Sequence, residues 1–199
     1  MVLLSHFISC KNTVSDKIMY STVLSKSTEL EWSSPLWNSK NCISIEGDKV
    51  NSDNKMFITS RWNKNSLYFF IKVTDNDLTA YQTEQDHSKL YMDDMVEILI
   101  DTQNDKDSCW AEDDIVYHIN LFGVKKDDRG SLDCITNPKW NGKADIIVSM
   151  HGTVNDTTDV DSGYLVSVIF TWDEIGLEPE KGLTMGINFA NGDNDGKGL

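Results

Sequence analysis

Carboxylates dominate the chemistry that this chain can offer. Asp93, Asp94 and Glu97 follow closely on a lone aromatic, Tyr91, within LYMDDMVEILID. Further on, Asp101, Asp105 and Asp107 share one loop, and Asp113 and Asp114 stand near its return. Hard cations take roughly six to eight oxygen ligands, and Asp-rich loops supply them, so this set is a candidate structural calcium site. Asp193-Asn194-Asp195-Gly196 is a second suggestive run, although it lacks the downstream Glu of an EF-hand loop. A glycosidase also needs two carboxylates, facing each other across a cleft. Asp94 and Glu97 are the nominal pair, but residues three apart on a strand point to opposite faces and do not converge. The sequence contains no Ser/His/Asp order, nucleophile elbow, P-loop or HExxH motif. The expectation is a protein that is not itself an enzyme.

The elements that must position these residues read as short strands. Lys55–Trp62 alternates Met56, Ile58 and Ser60 with Phe57, Thr59 and Arg61. Leu67–Val73 places Leu67, Phe69, Ile71 and Val73 on one face, and Met95–Ile100 sets Val96, Ile98 and Ile100 against Glu97. Val116–Phe122, Ala144–Met150, Tyr164–Phe170 and Leu183–Phe189 share the period of two. Asn, Asp and Gly fill the connections. Only Thr171–Leu177 has helical character, with room for a single turn. Many short strands without intervening helices predict an all-β, antiparallel two-sheet sandwich of the jelly-roll or immunoglobulin-like kind.

These pieces, in this order, resemble the family 9 carbohydrate-binding modules from about Trp37 to Asn191. Trp37-Asn38 matches an early Trp that packs into the sandwich. RWNKNSLYFFIKVTDNDL matches the strand pair before the variable binding loop, and YMDDMVEILID carries Asp94 and Glu97 in the matching positions. AEDDIVYHINLFG resembles the acidic loop and strand that follow, with His118 where the family often has Arg. GYLVSVIFTWDEIGLEPEKGLTMGINFANGDND resembles the family's closing segment.

The resemblance implies non-catalytic binding of polysaccharide ends or oligosaccharides in a glycan-degradation context. It implies a sugar held between two aromatic rings, with Tyr91 in the place of the first ring, usually Trp. Asp94, Glu97 and His118 would bond to hydroxyls. The second ring of the family lies beyond the point where this sequence stops at Leu199, which leads us to expect that the last strand or loop is missing. Such modules are often calcium-bound. The alternative is a related DOMON-type sandwich that binds haem or mediates protein contacts. Met92, Met95, His87 and His118 could supply an axial pair, but their spacing gives no support for it.

Composition bounds the rest. With 199 residues, 39% hydrophobic and 10% aromatic, the chain can bury a core and is not a disordered polymer. A formal charge of -14 repels a phosphate backbone, which excludes nucleic acid as a partner. The opening MVLLSHFISC is apolar and closes on a small residue before Cys10, like the end of a bacterial lipoprotein signal, although it has no basic n-region. On that reading residues 1–30 are a signal end and polar linker, residues 31–199 are the binding domain, and Cys10 is the lipidation site. The protein would be exported, as a cell-surface or periplasmic lipoprotein or a secreted protein. It would be a monomer that meets membrane only through its acyl anchor. Cys42, Cys109 and Cys134 are widely spaced without a CxxC pattern, which excludes a disulfide-dense or zinc-ribbon scaffold. One disulfide among them remains open to any pairing.

Overall fold

The computed structural model describes residues 2–6, 17–24, 30–46, 54–137 and 139–194, with side chains from Ile18 onward. Cys10 and the Asp195-Gly196 end of the last acidic run lie outside the described residues. Period-two alternation builds two sheets. In the first, β8 (Lys125–Arg129), β7 (Asp114–Asn120), β6 (Met95–Asp101), β11 (Thr184–Gly192), β1 (Val2–His6) and β2 (Lys17–Val23) lie side by side in that order. In the second, β9 (Asp145–His151), β10 (Gly163–Thr171), β5 (Ser66–Thr74) and β4 (Lys55–Trp62) follow one another, and β3 (Ile43–Glu46) pairs with β4. β2 joins the two, antiparallel to β1 and, at Thr22 and Val23, parallel to β4. β1 runs parallel to β11, and the remaining ladders are antiparallel.

The core is the sum of the inward faces. Val96, Ile98 and Ile100 of β6, Ile115, Tyr117 and Ile119 of β7, and Met185, Ile187 and Phe189 of β11 meet the second sheet. That sheet contributes Met56 and Ile58, Leu67, Phe69, Ile71 and Val73, and Val166, Val168 and Phe170. Phe69 stands edge-on to both Phe170 and Phe189, with ring centroids 6.0 and 5.4 Å away, so three strands lock on one ring. The sandwich expected from the alternation is the observed architecture.

The expected helical turn is α1 (Trp172–Ile175). Thr171 caps it by accepting from the Glu174 N–H at 3.3 Å, and Gly176 ends it in the left-handed conformation at φ 70°. Trp172 is buried and donates its indole N–H to the Asn63 carbonyl at 2.8 Å, which pins the turn to the hairpin between β4 and β5.

Four strands, β1, β2, β3 and β8, lie outside the sequence reading. Residues 1–30 read as a signal end and linker, yet Lys17–Val23 is a strand, because Met19 and Ser21 alternate inward while Ile18 and Tyr20 face out. Val2–His6 lies between this strand and β11, so the sandwich begins before Glu31. Lys125–Arg129, KKDDR, carries no hydrophobic residue and still forms β8. Lys125 and Asp127 point inward as an ion pair, and the Lys125 ammonium also donates to the Gly142 carbonyl, so the buried charges satisfy one another.

Candidate functional site

The outward face of β6, β7 and β11 gathers the polar residues of the first sheet. Glu97 stands between His118 on β7 and Ala190 on β11. His118 Nδ1 donates to Glu97 Oε1 at 2.7 Å, which fixes the ring and leaves Nε2 as its second polar atom. The small Ala190 leaves room on the other side of the carboxylate. Two residues along the strands, Leu99, Val116 and Asn188 form the next row; beyond them stand Asp101, Asp114 and Gly186.

Tyr91 lies on a single 3-10 turn, Leu90–Met92, that leads into β6, and it is 57% exposed. The turn is tied down from behind. The fully buried Asp93 accepts from the N–H groups of Tyr81 at 2.9 Å and Gln82 at 3.0 Å, and from the Asn120 side-chain amide at 2.8 Å. Asn120 in turn accepts from the N–H groups of Phe122 and Val124 and donates to the Gln82 carbonyl. Tyr81, Tyr91 and Phe122, all exposed aromatics, therefore spring from backbone that one buried Asp–Asn pair organises. Tyr81 and Phe122 were not singled out from the sequence. The signal available was only an aromatic within a polar loop, LTAYQTEQDH, and another in a turn, NLFGV.

Asp94 departs from the expectation that it meets sugar. It is completely buried; one oxygen accepts from the Thr79 N–H and the other from the Asn194 N–H, each at 2.6 Å. It shares that site with Asp75 and Asp193, each offering an oxygen within 4.8 Å of the others. Burial, opposed by the Thr79 bond and reinforced by the neighbouring Asp75 and Asp193 charges, pushes the Asp94 carboxyl up to about 8. Asp94 and Glu97 consequently do not share a cleft, since one is sealed inside and the other faces outward.

The second acidic group is the one expected from sequence, though smaller. Asp101, Asp105 and Asp113 come within 4.8 Å of one another. Asp107 turns instead toward the Cys109 N–H, and Asp114 accepts from the Ala111 N–H at 2.8 Å. Burial raises Asp101, and it raises Asp114 to about 6 with help from the nearby Asp113, Asp101 and Asp107 charges. Both groups offer only oxygen, the donor set of a hard cation, and could hold a metal ion. Around the Asp75–Asp94–Asp193 group the amides of Asn54 and Asn191 are linked to each other and to Asp75 and the Tyr164 hydroxyl. The amide oxygens of Asn54 and Asn191 are taken up by these bonds, so the oxygens a cation would meet here are those of Asp75, Asp94 and Asp193.

Asp75 escaped the sequence reading because its partners come from the other two segments of the cluster, far off in sequence. The disulfide left open is Cys109–Cys134, and Cys42 is a free thiol.

Comparison with known proteins extends this geometry. The family described as carbohydrate family 9 binding domain-like matches residues 29–199. A family 9 carbohydrate binding module from Caldicellulosiruptor kristjanssonii, in complex with cellotriose, is 20% identical with a TM-score of 0.63, covering 91% of this chain and 80% of that one. A module from the same organism in complex with glucose is 19% identical with a TM-score of 0.58, covering 89% and 81%. At these identities the likeness is one of fold. No protein with a curated description matches the chain significantly. With most of its length matched by the family pattern, the chain belongs to the carbohydrate family 9 binding domain-like family.

Proposed function

We propose that this chain is a non-catalytic carbohydrate-binding module that receives an oligosaccharide, or the end of a polysaccharide, on the open face of the first sheet. The observation that carries the reading is the Glu97–His118 pair, held side by side in the β6–β7 ladder, with exposed Tyr91 on the turn that feeds the same strand. A pyranose presents C–H groups on its face and hydroxyls around its rim. The face stacks on the Tyr91 ring. The rim donates to the Glu97 carboxylate, a stronger acceptor than a neutral group, and meets Nε2 of His118. Both polar groups are set by the sheet before the sugar arrives, which lowers the ordering cost of binding. Because the related modules were solved with cellotriose and glucose, glucose oligosaccharides are the ligands to try first.

Calcium is the ion we assign to Asp75, Asp94 and Asp193. When bound it would neutralise carboxylates that otherwise crowd one another. The three residues sit at the end of β5, on the turn before β6 and just after β11, so their common ligand would fix the Tyr91 turn to both sheets. The Cys109–Cys134 disulfide favours an oxidising compartment and therefore an exported protein.

Calorimetric titration with cellobiose and cellotriose, beside their borohydride-reduced forms, tests the reading, first with calcium and then after chelation. Heat with the native sugars supports it, and loss of that heat on reduction identifies a reader of chain ends. A folded sample that binds no sugar in either condition overturns it.

A further inference from the structure

The open face does not end at Glu97. Along β6 the outward residues after it are Leu99 and Asp101, about 7 and 14 Å further on at the rise of an extended strand. There the sheet forms the floor of a cavity of about 460 Å³, lined among others by Leu99, Asp101, Asn188 and Gly186. That volume falls within the range of small-molecule sites, roughly 300–1,000 Å³. The wall is the loop between β6 and β7, which contributes Trp110 and, at its return, Asp114. An aromatic ring, the carboxylates of Asp101, Asp107 and Asp114, the Lys106 ammonium and the Asn188 amide around one hollow are groups that a pyranose face and rim can use.

The Trp110 wall is built rather than draped. The Trp110 carbonyl accepts from the Ser131 N–H at 3.1 Å, and the neighbouring Cys109 is joined to Cys134. Between them, Gly130 packs so closely that an added Cβ would lie 1.9 Å from the Ala111 carbonyl oxygen. The loop that presents Trp110 is therefore clamped at residues 109–111 to residues 130–134. A ring held in place before binding loses little entropy on stacking.

We infer that the Trp110 cavity is a second sugar subsite on the same face, so that a glucan longer than a disaccharide runs from Tyr91 along β6 and sets a later ring against Trp110. The inference rests on the functional reading above and extends it to chain length. Consecutive outward residues of β6 link the two ends, and Asn188 of β11 stands beside Leu99 in the ladder. Glu97, Leu99 and Asp101 share one face of β6.

Titration of the full chain with cellobiose and cellotetraose reads the subsite directly. Cellotetraose should bind about tenfold more tightly than cellobiose, the increment of one good stacking contact. Trp110→Ala should erase that gain and leave cellobiose affinity unchanged, and Trp110→Phe should restore part of it. The Cys109→Ser/Cys134→Ser variant should behave like a milder Trp110→Ala, because it frees the wall without removing the ring. If Trp110→Ala fails to fold, Asn188→Ala takes its place and should halve the gain or more. Equal affinity of the wild-type chain for both sugars overturns the inference while the functional reading stands. A Trp110→Ala variant that melts normally and keeps the gain, or weakens both sugars alike, overturns it as well. Absence of any sugar binding overturns both.

Discussion

The two sheets treat their outer faces in opposite ways. Behind β5 and β10 the outer face is roofed by residues 30–42. Trp37, set on a short 3-10 turn (Pro35–Asn38), packs with Phe70 and Leu165 in a second small hydrophobic cluster and donates its indole N–H to the Glu31 carbonyl. Lys72 lies over the Trp32 ring, 3.9 Å from its centre, and closes the same roof. Behind β6, β7 and β11 nothing comparable covers Glu97, His118 or Asn188 among the described residues. Both faces began as alternating strands. One fills its outward positions with aromatics that want burial, and the other mixes the polar Glu97, His118 and Asn188 with Leu99 and Val116. The difference is that the aromatics of residues 30–42 and of β5 are spent on packing, whereas Tyr81, Tyr91 and Phe122 at the ends of the first sheet are left exposed.

The covered face gives the largest effect. Trp37→Ala should cost about 3 kcal/mol of stability, since it leaves a cavity between Phe70 and Leu165. For a chain of this length that lowers the melting temperature by about 6–12 °C. Sugar affinity of the folded fraction should not change. A calorimetric titration that showed weakened binding would mean that the roof reaches the site. Tyr91→Ala should do the reverse. It should weaken sugar binding by at least about 30-fold, about 2 kcal/mol, and shift melting by no more than about 2 °C. A larger thermal shift in a melting experiment would show that the ring packs rather than recognises.

An intermediate effect comes from the acidic cluster that ties the Tyr91 turn to the sheets. With its carboxyl pushed up to about 8, folded Asp94 holds a proton that the unfolded chain releases near the ordinary carboxylate value. The folded state is then the better proton binder between those limits. Its stability is greatest at the acid end of that window and falls as pH climbs through about 8. Chelated protein should therefore melt higher at pH 5.5 than at pH 8, by about 5 °C. Added calcium should raise melting most at pH 8, because the ion takes the place of the proton. Asp94→Asn should flatten the dependence in chelator. Identical melting at both pH values, with and without calcium, would remove the ion from the site.

These regions were not equally legible in the sequence. β4 was read to both its ends, and β5, β6, β10 and the turn at Trp172 nearly so, because each has a strict alternation or a cap. β8 was invisible, since KKDDR becomes a strand only through its ladder with β7, with Lys125 and Asp127 pairing on its inward side. β2 hid inside a stretch rich in Ser, Thr and Lys, where a single Met19 was too little signal. In the site, Glu97 and His118 could be placed because a strand's period decides which way each points, whereas Tyr91 stands on the turn, where no period applies. Asp94 was misplaced for a related reason. It lies on the turn just before β6, outside the ladder, and there the period carries no information about burial. The cluster of Asp75, Asp94 and Asp193, like the Cys109–Cys134 pair, joins segments whose closeness only the folded chain creates.

The finest division on the open face is between Glu97 and His118 themselves. The pair lies partly exposed at 2.7 Å, so as an ion pair it should stabilise the fold by only about 0–1 kcal/mol. If its purpose is recognition, each partner matters more to the sugar than to the sheet. His118→Gln keeps a polar side chain at the position but loses the rigid ring held by Glu97. It should weaken binding about 5-fold, about 1 kcal/mol, with melting nearly unchanged. Glu97→Gln should weaken it slightly more, because a charged acceptor is replaced by a neutral one. The double variant should lose less than the two single losses combined, since each change already frees the other residue from its fixed orientation. Strict additivity in calorimetry would mean that the two residues act on separate hydroxyls and that their contact is incidental to binding.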